Sequence, residues 1–415
     1  MPAAAMAQGN PGPFGGLFGR SAARSGENRS IVEVRSSVGG QYDSALLDPE
    51  DASTTPTRDG YGTGATAGLF LEHASPKVTA FVSGEASRLQ YFTTPNYGVN
   101  LFKSTAALST AITTRIRVEA EASYLHSPFF SLYQDFGRNN SVDGDSAVLP
   151  FAPYATQLLD NEAVQASIGL SVPLTDRSRV SASANRRQTL FADSDADLVA
   201  DGYRASWDWQ IQRGFGVHAS YGREHEDQRG AQARDYDQEI IDVGVNFNRA
   251  LSLARRTTLA FATSSSIIKE PSGQRQFRVN GNVVLMKFFR RTWRASAYAS
   301  RDTSFVPGFF EPLFSDTAGV SLGGLFTKRI EWTMNAAGGL GQAGFSDNKG
   351  FKTMTASTRL SVALNRHLGL FGQYVAYGYE LPKNSNALGL SDRLARHAVS
   401  VGLTTYIPVY NKTRQ

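Results

Sequence analysis

"IRVEAEASYL", residues 116–125, alternates without a slip. Ile116, Val118, Ala120, Ala122 and Tyr124 fall on one side, and Arg117, Glu119, Glu121 and Ser123 on the other. That is the two-residue period of a β-strand. In a soluble protein the apolar side faces a core. In an outer-membrane barrel the rule inverts, with apolar side chains toward lipid and polar ones toward a wet lumen. Which rule holds here is decided by the rest of the chain.

The chain has 415 residues, 41% of them hydrophobic, with a formal charge of +5 and no cysteine. Its mean hydropathy is negative, and no run approaches the roughly 18–20 apolar residues of a membrane-spanning helix. A barrel stays open, because alternation hides the apolar content of its strands. Without cysteine there is no disulfide scaffold and no cysteine-based metal or nucleophile chemistry. No concentrated basic block points to nucleic acid.

Alternating segments recur at about 31–42, 61–72, 77–89, 101–112, 116–127, 162–172, 178–190, 203–212, 215–224, 238–248, 257–267, 275–286, 292–301, 317–326, 330–341, 352–364, 368–379 and 396–409. That is 18, an even number, as single-chain bacterial barrels require. Each is long enough to cross the apolar band when tilted at about 45°. None reads as a convincing helix; "ALGLSDRLARHAV" (387–399) comes closest. Connections after even-numbered segments are mostly short, such as "HASP" (73–76) and "RG" (213–214), and those after odd-numbered ones mostly long, such as 128–161. A soluble sandwich has no reason to keep that parity. In this register Trp207, Trp209, Trp293 and Trp332 all point outward, near the short turns, as a lipid-interface girdle. The fold expected is all-β: one up-and-down transmembrane barrel of about 18 strands. Ile116 to Tyr124 then face lipid, and Arg117, Glu119 and Glu121 face water, which spares the several kcal/mol that each charge loses in a dry core.

Ala5-Met6-Ala7 before Gln8 matches the small-x-small end of a signal peptide. Residues 1–7 read as a remnant of one, 8–30 as a flexible periplasmic lead-in, 31–410 as the barrel and 411–415 as a polar tail.

On this pattern over residues 31–410 the chain resembles bacterial porin-like outer-membrane barrels. It is similar in size and loop style to the 18-stranded barrels associated with exopolysaccharide gene clusters, of the β-barrel porin 2 style. It departs from the usual terminus, an aromatic read by the assembly machinery, in that Asn411 to Gln415 follow "HAVSVGLTTYIPVY".

Three motifs with possible chemistry have simpler readings. "GLGQAG" (339–344) matches the dinucleotide fingerprint, but a turn follows rather than the helix that a phosphate needs. "REHED" (223–227), with His218 nearby, could hold a divalent ion, but reads as a solvated loop. The six histidines form no constellation with a nucleophile and "GxSxG" is absent. No catalytic residue, metal or cofactor is assigned, and no enzyme activity is expected.

The expected lumen face carries Glu33, Arg35, Glu72, Glu85, Lys103, Arg117, Glu119, Glu121, Arg179, Arg187, Arg204, Asp208, Glu224, Asp242, Arg278, Arg294, Glu331 and Arg359, nine of each sign. Selective channels concentrate one sign at the constriction, so the balance argues against a dedicated anion channel. Aromatics including Tyr298, Phe371 and Tyr377 join this face. Between small polar neighbours the bore is expected to be wide. Two loops are aromatic. One carries Phe129, Phe130, Tyr133, Phe136 and Phe151, and the other Phe309 and Phe310. The rings either form an adhesive patch or, as favoured here, pack inward as a constriction. Arg88, Arg186, Arg223, Arg275 and Arg301 fall outward at the loop-side strand ends, where lipopolysaccharide phosphates could engage them.

With the resemblance, a wide charge-balanced lumen implies an outer-membrane channel exporting a polysaccharide, served by a periplasmic export protein and surrounded by outer-membrane lipid and lipopolysaccharide, with a monomer favoured. Two other readings stay open: a general diffusion porin for small solutes, and a plugged structural or adhesive barrel.

Overall fold

A computed structural model describes residues 28–46, 58–92, 98–130, 157–192, 197–229, 234–250, 257–269, 275–289, 292–304, 306, 309, 311–344, 350–382 and 392–414. These form eighteen strands and, among the described residues, no helix. The strands are β1 (Asn28–Leu46), β2 (Arg58–Ala74), β3 (Val78–Tyr91), β4 (Gly98–Ala111), β5 (Arg117–Phe130), β6 (Gln157–Thr175), β7 (Ser178–Phe191), β8 (Leu198–Gln212), β9 (Phe215–Gln228), β10 (Arg234–Ala250), β11 (Thr257–Lys269), β12 (Arg275–Phe289), β13 (Trp293–Ser304), β14 (Leu313–Thr327), β15 (Ile330–Ala343), β16 (Gly350–Ala363), β17 (Leu368–Glu380) and β18 (Arg393–Arg414). Every strand pairs antiparallel with its neighbours in sequence, and β1 pairs with β18, so the sheet closes on itself. The strand count and closure expected from the alternation are therefore found.

The strands outrun their alternating cores, mainly at the loop end. There the ladder continues through residues such as Leu313–Asp316, where the apolar/polar pattern has already lapsed. Hydrogen bonds extend a sheet into water, whereas alternation is needed only where one face meets lipid. For the same reason two boundaries move. Residues 28–30 belong to β1 rather than to a lead-in, and 411–414 belong to β18 rather than to a free tail, pairing with 28–31. Arg393–Val399 of the segment that came closest to a helix are strand. Residues 1–7 lie outside the described residues.

Cross-strand register fixes the two faces. Tyr124 stands opposite Ser104 and Val164, and Ser104 opposite Gly84, itself opposite Leu69. This face carries exposed apolar side chains all round the barrel, among them Val82, Ile168, Tyr221, Val243, Val320 and Val401. The opposite face holds Glu119, paired with Ser109 and Gly169, and Glu121, paired with Ala107 and Ser167. An apolar exterior on a sheet that closes on itself is the outer-membrane type of barrel.

The four tryptophans lie on the exterior near the short-turn end, where both barrel termini also lie. Trp207 and Trp209 stack, with ring centroids 6.3 Å apart. Trp293 packs on Phe326 at 5.0 Å and on Trp332 at 6.1 Å. Three indole N–H groups have partners: Trp207 donates to Ser178 Oγ (2.8 Å), Trp293 to the Leu325 carbonyl (3.1 Å) and Trp332 to Thr358 Oγ1 (2.8 Å). An indole with its donor satisfied sits comfortably at the edge of hydrocarbon.

Ala122 and Glu121 are adjacent on β5 but face lipid and lumen respectively. Ala122→Arg is expected to cost about 2–4 kcal/mol, as a cation near the bilayer midplane does, and to impair assembly. Glu121→Gln is expected to leave folding intact. Heat-modifiable gel migration reads both, and damage from Glu121→Gln alone would exchange inside and outside.

Candidate functional site: the bore and its mouth

All of the lumen charges and aromatics named from the sequence fall on the inner face of the register. They do not share one environment. Along β4–β8 the inner charges Lys103, Arg117, Glu121, Arg179 and Arg204 are exposed, and Glu119 and Asp208 half-exposed. Along β16–β18 and β1 the same face is packed, with Glu33, Phe371 and Tyr377 each no more than 2% exposed. The open bore therefore follows the β4–β8 wall, and these three residues support the opposite wall rather than line a water path.

That packed wall is held by specific contacts. Tyr406 donates to Glu33 Oε1 (2.6 Å), and Arg35 lies 3.4 Å from Glu33 Oε2. The Arg359 guanidinium stacks over Phe371 at 4.4 Å. Higher on the seam, Arg396 of β18 grips Asp43 of β1, its Nε donating to both carboxylate oxygens at 2.9 and 3.0 Å and its Nη2 to Oδ2. Both side chains are buried, and breaking such a pair costs about 3–5 kcal/mol. Asp43 lies just past the alternating part of β1, and Arg396 opens the alternating part of β18. The partners are 353 residues apart, so no local signal joins them.

On the β8–β10 wall, Asp242 gathers a polar cluster. Arg204 donates to its Oδ2 at 3.1 Å, His218 Nε2 lies 3.1 Å from its Oδ1, and Ser220 donates at 3.5 Å. Arg204 Nε also donates to Ser220 Oγ at 3.1 Å. Nearby, Arg187 lies 3.5 Å from the buried Glu226. "REHED" is split by the strand pleat. Glu224 and Glu226 point inward, whereas Arg223 and His225 point outward and share Asp237 at 3.1 and 3.2 Å. Among the described residues no cluster has the makings of a metal site. "GLGQAG" is the end of β15 and its exit turn, as expected, with Gly344 at φ 70°.

At the loop end, Val306 and Phe309 of the connection between β13 and β14 turn into the barrel. Val306 and Phe309 are buried in one apolar cluster with Leu313, Ala343, Phe351, Tyr377, Tyr379, Leu394 and, from β7, Phe191. β7 and β16 lie half-way round the ring from one another, so the cluster crosses the opening. Gln228 of β9 donates its Nε2 to the Phe309 carbonyl at 2.8 Å. At the returning end the Gly344 N–H donates to the Pro312 carbonyl (2.9 Å), and a Cβ on Gly344 would collide with the Glu311 carboxylate. The mouth is thus narrower than the bore below it, because Val306 and Phe309 gain more from the apolar inner wall than from water. Phe309 packs inward. The side chains of Phe129 and Phe130, and all of Tyr133, Phe136, Phe151 and Phe310, lie outside what is described.

Outside, Arg88, Arg186, Arg223, Arg275 and Arg301 occupy the exterior face toward the loop end. Three of them stand beside carboxylates: Arg186 by Asp201 (3.4 Å), Arg223 by Asp237, and Arg301 by Asp316, bidentate at 2.6 and 2.8 Å.

No family model matches the chain, and no curated protein sequence does. Several solved structures are similar to it. Acinetobacter baumannii OccAB2 is 9% identical over 92% of this chain and 98% of its own, with a TM-score of 0.45. Pseudomonas aeruginosa OpdQ is 8% identical over 92% and 98%, at 0.46. The siderophore receptor PirA from Pseudomonas aeruginosa is 10% identical over 93% and 81%, at 0.41.

Asp242→Asn removes the charge that Arg204 and His218 share. The reversal potential in a salt gradient is expected to move toward the anion. An unchanged potential would place the cluster off the ion path.

Proposed function

We propose that this protein is an outer-membrane channel through which small solutes diffuse, with a charge-balanced bore and an apolar constriction at its outer mouth. The observation that carries the reading is the apolar cluster of Val306, Phe309 and Leu313 across the opening, above an exposed, mixed-charge wall. An apolar ring in a narrow passage resists wetting, so it limits flux by size and hydration rather than by charge sign. Export of a polysaccharide chain rested on the family resemblance and on a wide bore. The apolar cluster lies across the path such a chain would take, which favours the small-solute reading. The exterior apolar band and the girdle support a place in the outer membrane, with the short turns toward the periplasm.

The test is planar-bilayer conductance of the wild type and of Val306→Ser/Phe309→Ser. Small wild-type channels that grow severalfold in the variant, with unchanged heat-modifiable migration, are the expected result. Silence in both would mean a plugged structural barrel. Equally large conductance in both, with passage of long oligosaccharides, would restore the export reading.

A further inference from the structure

We propose that the exterior of β12–β18 carries a seat for one phosphate-bearing lipid of the outer leaflet, of the lipopolysaccharide class. This rests on the orientation proposed above, with the loops outside the cell.

The exterior face there is indented. In register, Ala299 of β13 stands opposite Ala318, Ala318 opposite Gly338, Gly338 opposite Met354, Met354 opposite Gly378, and Gly378 opposite Ala395 of β18. Five of these six side chains are Ala or Gly, so the row forms the floor of a groove of about 1140 Å³. The row climbs. Ala299 is midway along β13, whereas Gly378 and Ala395 lie two residues from the loop-side ends of β17 and β18. Cross-strand rows rise in this way when strands are tilted. The groove therefore starts in the apolar band, beside Val283, and ends at the rim.

The upper edge is charged. The adjacent exterior row contains Arg301, Asp316, Leu340, Lys352, Glu380 and Arg393. Lys352 and Arg393 both turn to Glu380, at 4.0 and 3.4 Å, and remain 70% and 80% exposed. The groove's lining thus holds three cations and two carboxylates, a net positive edge above an apolar trough. An amphiphile with an anionic head and hydrocarbon chains matches both parts: its chains fill the trough and its phosphate meets Lys352 and Arg393. A second copy of the barrel fits less well, since its own wall is convex and a convex wall leaves a trough empty. Of the five arginines named from the sequence, which are spread round the barrel, Arg301 lines this groove.

Gly338 permits a clean test, because a Cβ there comes no nearer than 3.7 Å to any heavy atom, the Thr353 carbonyl oxygen. Gly338→Phe therefore fills the trough without disturbing the ladder. Full-length protein extracted from outer membranes is assayed for bound lipopolysaccharide by native mass spectrometry. It is then titrated with purified lipopolysaccharide in phosphatidylglycerol nanodiscs. Gly338→Phe and, separately, Lys352→Gln/Arg393→Gln are each expected to weaken binding about tenfold. Arg186→Gln/Arg223→Gln should leave it unchanged, as should conductance in every variant. Equal binding by all variants and wild type would overturn the proposal. So would loss of a cross-linked dimer, rather than of lipid, in Gly338→Phe. Impermeant labelling of intact cells at Ala192→Cys but not Thr114→Cys checks the orientation separately. The reverse labelling would sink the outer-leaflet seat and the proposed orientation together, whereas correct labelling with unchanged lipid binding sinks the seat alone.

Discussion

In hydrocarbon an unpaired backbone N–H or C=O has no water to turn to, and each costs several kcal/mol. A sheet can cross a bilayer only if it has no edge. The pairing of β1 with β18 is therefore the constraint on which the rest of this molecule depends. Its two strands are the first and last among the described residues, so closure joins the most distant parts of the sheet in sequence. The seam is reinforced accordingly. Arg396 and Asp43 form a buried bidentate pair across it, and Tyr406 holds Glu33 lower down. Once the ring closes, the pleat assigns every side chain to lipid or lumen, and a one-residue slip would exchange them all.

Closure also creates the interior that the loops can use. A ring of this strand number encloses more space than its own side chains fill. Here the inward charges on β4–β8 keep one wall wet, while aromatics on β16–β18 make the other receptive to apolar groups. The segment between β13 and β14 takes that second option. Phe309 and Val306 reach the far side, and Gln228 secures the carbonyl that would otherwise be left unpaired in the apolar contact. The mouth is narrowed by hydrophobic burial and the bore below is kept open by charge, two effects that occupy different heights of one barrel.

Much of this was legible in the sequence. "IRVEAEASYL" declares a strand with one wet and one apolar face, and the parity of turn and loop lengths declares an up-and-down barrel. The four tryptophans mark the short-turn side. What alternation could not carry lies where lipid no longer imposes it. The Leu313–Asp316 end of β14 and the 411–414 end of β18 continue the ladder past the alternating pattern. Long-range partners were equally silent, as with Asp43 and Arg396. Inward packing of the 302–316 loop was readable, but the approach of Phe309 to β7 and β9 depends on curvature that no local pattern encodes. The exterior groove is a different omission. Its small residues looked like ordinary lipid-facing positions, and only the cross-strand register lines them up.

The central claim, a bore crossed at its mouth by Val306, Phe309 and Leu313, is tested most directly by proximity across the opening. The chain has no cysteine of its own, so Gln228→Cys/Phe309→Cys can be treated with a short bifunctional thiol reagent in the folded, heat-modifiable state. The account expects an intramolecular cross-link in the folded barrel that is lost when the protein is heated before treatment. Free labelling of both thiols without any cross-link in the folded state would contradict it.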